Sequence, residues 1–313
     1  MKEMSIQTVL GRIPARALGH CQVHEHIFVR DTPAARRSPD LRFDDLEKSA
    51  QELQAYKAAG GVSIGDAQPV GAGRDAAVLT ALSERTGVNI VASTGYHLRA
   101  FHSGPYEAEE GALYELYCSE LREGMLDTQG QRLSARAGMV KAAIPAGGPE
   151  GVYRTRLRAA ARAAADCGAP LMLHTEAGQN AEKAVALCGE AGLAPERILL
   201  CHADRDAGDT EKHLRLARLG VYLEYDTIAR PKYHGEEAEI RLILRMLEAG
   251  YEDRLLLSLD TTRSRLGAYG GKISLSYLRE SALPQLERAG AAPPLLEKIT
   301  VANPARALSL REG

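Results

Sequence analysis

Apolar residues recur along this chain in two spacings. Short β-branched runs, each bounded by polar residues or glycine, predict strands at Cys21–Val23, Val62–Gly65, Asn89–Ser93, Met139–Ala142, Leu171–Leu173, Ile198–Leu200, Val221–Leu223 and Leu255–Leu259. Longer stretches of helical period separate them. In Asp44–Ala59, Leu46, Ala50 and Leu53 follow the i, i+4, i+7 rule, and Asp44 or Asp45 can cap the start. Gly192, Gly220 and Gly250 fall near expected helix ends, where positive φ is favoured. The longest insertion, Thr94–Ala137, holds a predicted helix over Glu107–Gly124 with Leu113, Leu116, Tyr117 and Leu121 on one side.

Strands alternating with helices imply right-handed βαβ units and a parallel sheet covered on both faces. Eight such units in roughly 250 residues or more predict an α/β fold, the (β/α)8 TIM barrel. The rival is a doubly wound open sheet, which usually carries a G-x-G-x-x-G turn after its first strand. Here His24-Glu25-His26 stands in that place. No low-complexity linker interrupts the pattern, and Gly147-Gly148 and Gly270-Gly271 read as loop turns, so one domain over 1–313 is expected.

Composition narrows the partners. The 313 residues carry 39 Lys+Arg against 41 Asp+Glu, a formal charge of −2 with no basic run longer than Arg36-Arg37, which argues against a nucleic-acid or membrane-surface binder. The stretch MKEMSIQTVLGRIPARALGH has no apolar signal region and no run approaches a membrane span, so a cytoplasmic protein is expected. The five cysteines are scattered without a C-x-x-C and read as buried thiols of a reducing compartment. Trp is absent and Phe rare, which leaves the core to Ala, Leu, Ile and Val.

The polar residues that end these runs carry the chemistry. In an eight-stranded barrel the active site forms at the C-terminal ends of the strands. There lie His24 and His26, Tyr96 and His97, Lys141, His174, His202 and Asp260. A histidine closing a strand is by itself more often structural than a ligand. Residues two apart on a strand share a side, so His24 and His26 suit one metal ion, with a plain polar pair as the alternative. Glu25 between them faces away. His174 and His202, ending consecutive strands, suit a second ion, and imidazole with carboxylate favours zinc or a similar first-row metal. Lys141 is either an ordinary lysine reaching solvent or a neutral amine able to take up carbon dioxide as a bridging carbamate.

In this order the residues resemble the amidohydrolase superfamily. The strings T-V-L-G-R-I-P, G-H-C-Q-V-H-E-H, A-G-M-V-K-A-A, L-H-T-E, C-H-A-D-R and N-P-A-R are similar to its phosphotriesterase-related family, over roughly Thr8 to Leu308. The resemblance implies a binuclear centre: His24, His26 and Asp260 on one ion, His174 and His202 on the other, carbamylated Lys141 and a hydroxide bridging them. Zinc is the expected metal, with manganese, cobalt or iron as substitutes. It further implies that the bridging hydroxide attacks an ester and that Asp260, the catalytic residue, passes the proton to the leaving oxygen.

Family relatives include organophosphate esterases, acyl-homoserine lactonases and hydrolases of phosphorylated sugar lactones. Tyr96, Lys232 and Arg263 are the expected substrate contacts, and the two cations suit an anionic lactone. Arg263, Arg265 and Lys272 argue against the apolar groove of an acyl-homoserine lactonase. Leu266 stands where the sugar-lactone branch is expected to carry a Tyr as a phosphate contact, with Tyr269 or Arg265 as substitutes. The expected function is therefore a metal-dependent lactonase acting on a phosphorylated or otherwise polar sugar lactone. A non-hydrolytic barrel, such as a sugar-phosphate isomerase or a metal-binding protein, is the alternative of another class. A homodimer is expected from the relatives.

Overall fold

In the computed structural model, which describes residues 4–102 and 106–311, each predicted run becomes a strand. An antiparallel hairpin that the pattern did not signal comes first, β1 (Ser5–Thr8) with β2 (Gly11–Pro14). The barrel strands follow: β3 (Cys21–Glu25), β4 (Ser63–Asp66), β5 (Asn89–Gly95), β6 (Met139–Ala143), β7 (Leu171–His174), β8 (Ile198–Leu200), β9 (Tyr222–Tyr225) and β10 (Leu255–Leu257). Each pairs in parallel with the next in chain order, the topology of a (β/α)8 barrel.

The helices lie outside: α1 (Pro33–Arg37), α2 (Leu46–Ala58), α3 (Ala76–Thr86), α4 (Glu110–Arg122), α5 (Val152–Cys167), α6 (Ala181–Glu190), α7 (Thr210–Arg218), α8 (Glu236–Glu248), α9 (Leu283–Arg288), α10 (Pro293–Glu297) and α11 (Asn303–Leu308). Local chemistry sets several boundaries. Asp45, Asp75 and Asp209 each accept a backbone N–H from the first turn of α2, α3 and α7. Gly192, Gly220 and Gly250 take φ of 88°, 86° and 79°, as their placement at helix ends predicts. No helix among the described residues is long and apolar enough to cross a membrane.

The seam between β3 and β10 is closed largely by one side chain. Glu25 accepts the Leu259 N–H at 2.7 Å through Oε1, and the Thr261 N–H and hydroxyl at 3.1 and 2.8 Å through Oε2. The Asp260 N–H donates to the His24 carbonyl at 3.2 Å, and the His24 N–H to the Ser258 hydroxyl at 3.1 Å. That explains why β10 stops at Leu257 rather than at the predicted Leu259. Leu259 spends its N–H on a carboxylate instead of on the ladder.

The barrel floor is one apolar layer in which Met139, Met172, Leu199 and Leu256 pack with Val23, Val91, Leu18 and Leu308. Two residues further along the same strands stand Lys141, His174, Cys201 and Ser258, so strand period lifts polar groups directly above that layer. On β3 the register with β4 shifts between Gln22 and Glu25. This irregularity brings His24, one residue after the inward Val23, onto the inner face as well.

The long insertion is pinned by a buried ion pair. Arg74 donates to both oxygens of Glu120 at 2.7 and 2.6 Å, and Glu120 also accepts the Thr94 hydroxyl and the Leu126 N–H. Burial acts to raise the Glu120 pKa, but Arg74 and these donors outweigh it and lower it. Glu120→Gln leaves a buried guanidinium without its counter-charge and is expected to cost about 3–5 kcal/mol in denaturant unfolding. With a depressed folded pKa, the pair's contribution is complete above the unfolded value near 4.3 and is lost as pH falls through the lower folded value. Acid unfolding of the Gln variant should lack that component.

Candidate metal centre

At the C-terminal ends of the barrel strands lies a cavity of about 450 Å³. His24, His26, His174, His202 and Asp260 all line it, and Lys141 sits beneath, 1% exposed. Burial removes the reading of Lys141 as a lysine reaching solvent. Its Nζ lies 3.4 Å from His24 Nε2 and 3.6 Å from Cys201 Sγ, with no carboxylate at ion-pair distance among the described residues.

Two donor groups converge. His26 Nε2 and His24 Nε2 lie 3.4 and 3.8 Å from Asp260 Oδ1, and the three donor atoms fall within 4.8 Å of one another. His174 Nδ1 faces His202 Nε2 at 2.8 Å. The outward nitrogens of three of these rings meet carboxylates, while His26 Nδ1 has no hydrogen-bond partner among the described residues. His24 Nδ1 is 2.7 Å from Glu224 Oε2 and 3.2 Å from Asp226 Oδ2, His202 Nδ1 is 2.7 Å from Asp226 Oδ1, and His174 Nε2 is 3.2 Å from Glu176 Oε1.

A ring that donates its outer N–H to a carboxylate is left with a lone pair on the inner nitrogen. His174 and His202 therefore aim two lone pairs at each other, an arrangement that repels unless a proton or a cation stands between them. Burial keeps protons scarce: it pushes His174 down to about 4 and His202 well below the ordinary value. His24 differs. Burial and Lys141 oppose its charge, but Cys201, Glu224 and Asp226 outweigh them and hold it well above the ordinary range. The donor set fits divalent ions, which take neutral imidazoles and carboxylates and displace such protons.

The backbone holds two of these residues in the left-handed region, His202 at φ 61° and Asp260 at φ 45°. For non-glycine residues this conformation costs of order 1–3 kcal/mol and clusters at functional sites. Asp260 is locked on several sides. Arg230 contacts its Oδ2, Arg205 Nη2 lies 3.7 Å from the same oxygen, and Arg265 Nη1 is 3.2 Å from its carbonyl. Burial works to raise the Asp260 pKa, but Arg230, His26, His202 and His24 bring it well below the usual carboxylate range.

Two expected substrate contacts lie elsewhere. Tyr96 is turned out of the cavity to stack on His102, ring centroids 4.6 Å apart, with the Arg156 guanidinium 4.0 Å from its ring. The cause is Gly95, at φ 96° where a Cβ would overlap the Lys141 carbonyl, which reverses the phase after β5. His97 lines the cavity instead, its ring 4.6 Å from that of His174. Arg263 donates to the Arg42 carbonyl at 3.0 Å and lies over the Tyr269 ring, tying the loop after β10 to the loop after β3.

Nor do the substitutes for the missing Tyr reach the cavity. Leu266 is buried in the core, the Tyr269 hydroxyl donates to Asp45 O at 2.8 Å, and Arg265 Nη2 braces Ile228 O at 2.6 Å. Lys232 does line the cavity, joined by Arg205 and Arg230. These three cations surround the Tyr233 ring at 4.6, 4.9 and 5.5 Å. Arg205 stands in C-H-A-D-R and Arg230 two residues before Lys232, so charge beside a strand end was their one signal. The apolar wall of Val29, Ala35, Leu41, Phe43 and Phe101 had none.

The profile of the Phosphotriesterase family matches residues 4–308. A phospho-furanose lactonase of Mycoplasmopsis agalactiae is 29% identical to this chain over 330 residues, spanning 99% of this chain and 93% of that protein. An N-acetyltaurine hydrolase of Xenopus tropicalis is 27% identical over 351 residues, 98% of each. Among solved structures, a lactonase from Listeria monocytogenes superposes with a TM-score of 0.91 at 28% identity, covering 98% of this chain and 100% of the other.

Proposed function

From the premise that this chain belongs to the phosphotriesterase family, we propose that it is a metal-dependent hydrolase that opens a small anionic lactone, with a phosphorylated sugar lactone as the favoured substrate. The observation that carries this reading is the meeting of three cations, Arg205, Arg230 and Lys232, with the histidine and Asp260 donor set in one cavity. Lys232, with no carboxylate at ion-pair distance among the described residues, would meet phosphate by a charge-assisted hydrogen bond, while Arg230 and Arg205, engaged by Asp260 and Glu176, add positive field. The named relatives include a phospho-furanose lactonase of nearly the same length.

In this reading His24, His26 and Asp260 would hold one divalent ion and His174 and His202 the other, with Lys141, as a carbamate, the further ligand they would share. When bound, the ions lower the pKa of water and polarise the substrate carbonyl. The protein does the rest. Glu224 and Asp226 fix the imidazole tautomers by accepting the outer N–H groups. Asp260, ionised and beside His26, takes the proton of the attacking water and delivers it to the leaving ring oxygen. Arg230 on Oδ2 keeps the carboxylate ionised and fixed for that transfer. Val29, Leu41, Phe43 and Phe101 exclude bulk water from the mouth, which strengthens each charge interaction inside.

One observation favours a second reading. A sulfonate presents three anionic oxygens much as a phosphate does, and the relatives include an N-acetyltaurine hydrolase aligned over 98% of this chain. Amide hydrolysis of an N-acyl aminosulfonate is that alternative. A panel of aldonolactones with and without a 5-phosphate, together with N-acetyltaurine, separates the two.

The expected result is a kcat/KM for phosphorylated lactones at least about 10-fold above that for their unphosphorylated forms. Lys232→Ala should erase about 10-fold of the advantage, one hydrogen bond to a charged group, while Arg263→Ala leaves it intact. Turnover of the amide with no lactone activity would replace this reading by the second.

A further inference from the structure

Between the turn after β8, the loop that follows β9 and the start of α8 lies a second cluster of ligating side chains that the reaction does not use. We propose that Asp204, His234 and Glu239 form a separate binding site for one first-row divalent cation. Asp204 sits in the turn Ala203–Asp206 after β8, His234 just before α8, and Glu239 in the first turn of that helix. One ligand atom from each falls within 4.8 Å of the other two.

The cluster is buried, with Asp204 0% and Glu239 2% exposed. Neither carboxylate oxygen of Glu239 has a hydrogen-bond partner, nor does Asp204 Oδ1; Asp204 Oδ2 accepts the Thr227 N–H at 2.6 Å. No Arg or Lys lies at ion-pair distance from either carboxylate among the described residues. Two desolvated carboxylates without a cation are strongly unfavourable.

His234 supplies the geometry that points to a metal. Its Nε2 stands 3.0 Å from Glu239 Oε2, yet the two are not aligned as a hydrogen bond. On the other side of the ring Nδ1 lies 3.4 Å from the Gly235 carbonyl, and Nε2 is 3.1 Å from the Thr227 hydroxyl. With the proton on Nδ1, the Nε2 lone pair faces the carboxylates, an arrangement that a cation bound among the three would satisfy. One imidazole with two carboxylates is a donor set for zinc, manganese, cobalt or iron. The ion would fasten the turn after β8 to the loop after β9, which bears Arg230 and Lys232. Its three residues belong to none of the donor groups that line the cavity.

The test counts metal. Protein stripped by chelator is reloaded with Zn2+, desalted and analysed for zinc per chain, as wild type, Glu239→Gln, Lys141→Ala and the double variant. Glu239→Gln is expected to lose one zinc relative to wild type, and Lys141→Ala to retain one that the double variant loses. His234→Gln in both backgrounds gives the same reading should Glu239→Gln not fold. Equal zinc counts with and without the substitutions at Glu239 and His234 would overturn the proposal. So would a Glu239→Gln chain that keeps its zinc and melts higher than wild type, the behaviour of two carboxyls sharing a proton.

Discussion

Asp260→Asn is expected to lower kcat/KM by about 10²–10⁴-fold, the range of a lost proton transfer, while the barrel stays folded. The substitution keeps the shape of the side chain and removes its charge. Asn cannot take the proton from water, and it replaces an anionic donor beside His24 and His26 by a neutral one. It also leaves Arg230 facing a neutral partner. Steady-state kinetics on the best lactone, read beside zinc content and far-ultraviolet dichroism, check this. Activity within tenfold of wild type in a folded Asn variant would remove Asp260 from proton transfer.

Lys141→Ala is expected to be comparably severe for a different reason. The buried amine lies beneath the cavity, 3.4 Å from His24 Nε2 and without a carboxylate partner among the described residues. In the proposed function it would, as a carbamate, supply an anion to both ions. Its loss forfeits several kcal/mol of charge stabilisation, which at 1.36 kcal/mol per decade is about 10²–10⁴-fold in rate, together with the metal of the cavity. The truncated side chain leaves room for a small anion, so added acetate or propionate should restore part of the activity in proportion to its concentration. A Lys141→Ala chain that keeps full metal and full rate would show that the lysine is a bystander.

Much of this architecture was legible because its causes are local. Runs of Val, Ile and Leu with polar ends mark the strands, and strand period carries Lys141 and His174 above Met139 and Met172 on the same inner face. Where one residue changes the phase, the pattern misleads. Gly95 turns Tyr96 outward and His97 inward, and a register shift on β3, not strict alternation, brings His24 into the barrel.

Side chains whose partners are remote in sequence were equally out of reach. Glu224 and Asp226 look like ordinary strand residues until β9 is set beside His24 and His202. Arg263 and Arg205 are indistinguishable as charges near strand ends, and only the path of the loop after β3 decides which one meets the cavity.

The Glu25 seam gives the centre an order of assembly. His24 and His26 lie near the beginning of the chain and Asp260 near its end, whereas His174 and His202 stand on consecutive strands in the middle. A chain still on the ribosome presents the middle pair first, and has no means of completing the other until Asp260 emerges and Glu25 can take the N–H groups of Leu259 and Thr261. A fragment truncated before β10 carries His24 and His26 with no Asp260 beside them, and leaves Glu25 without the N–H groups of Leu259 and Thr261.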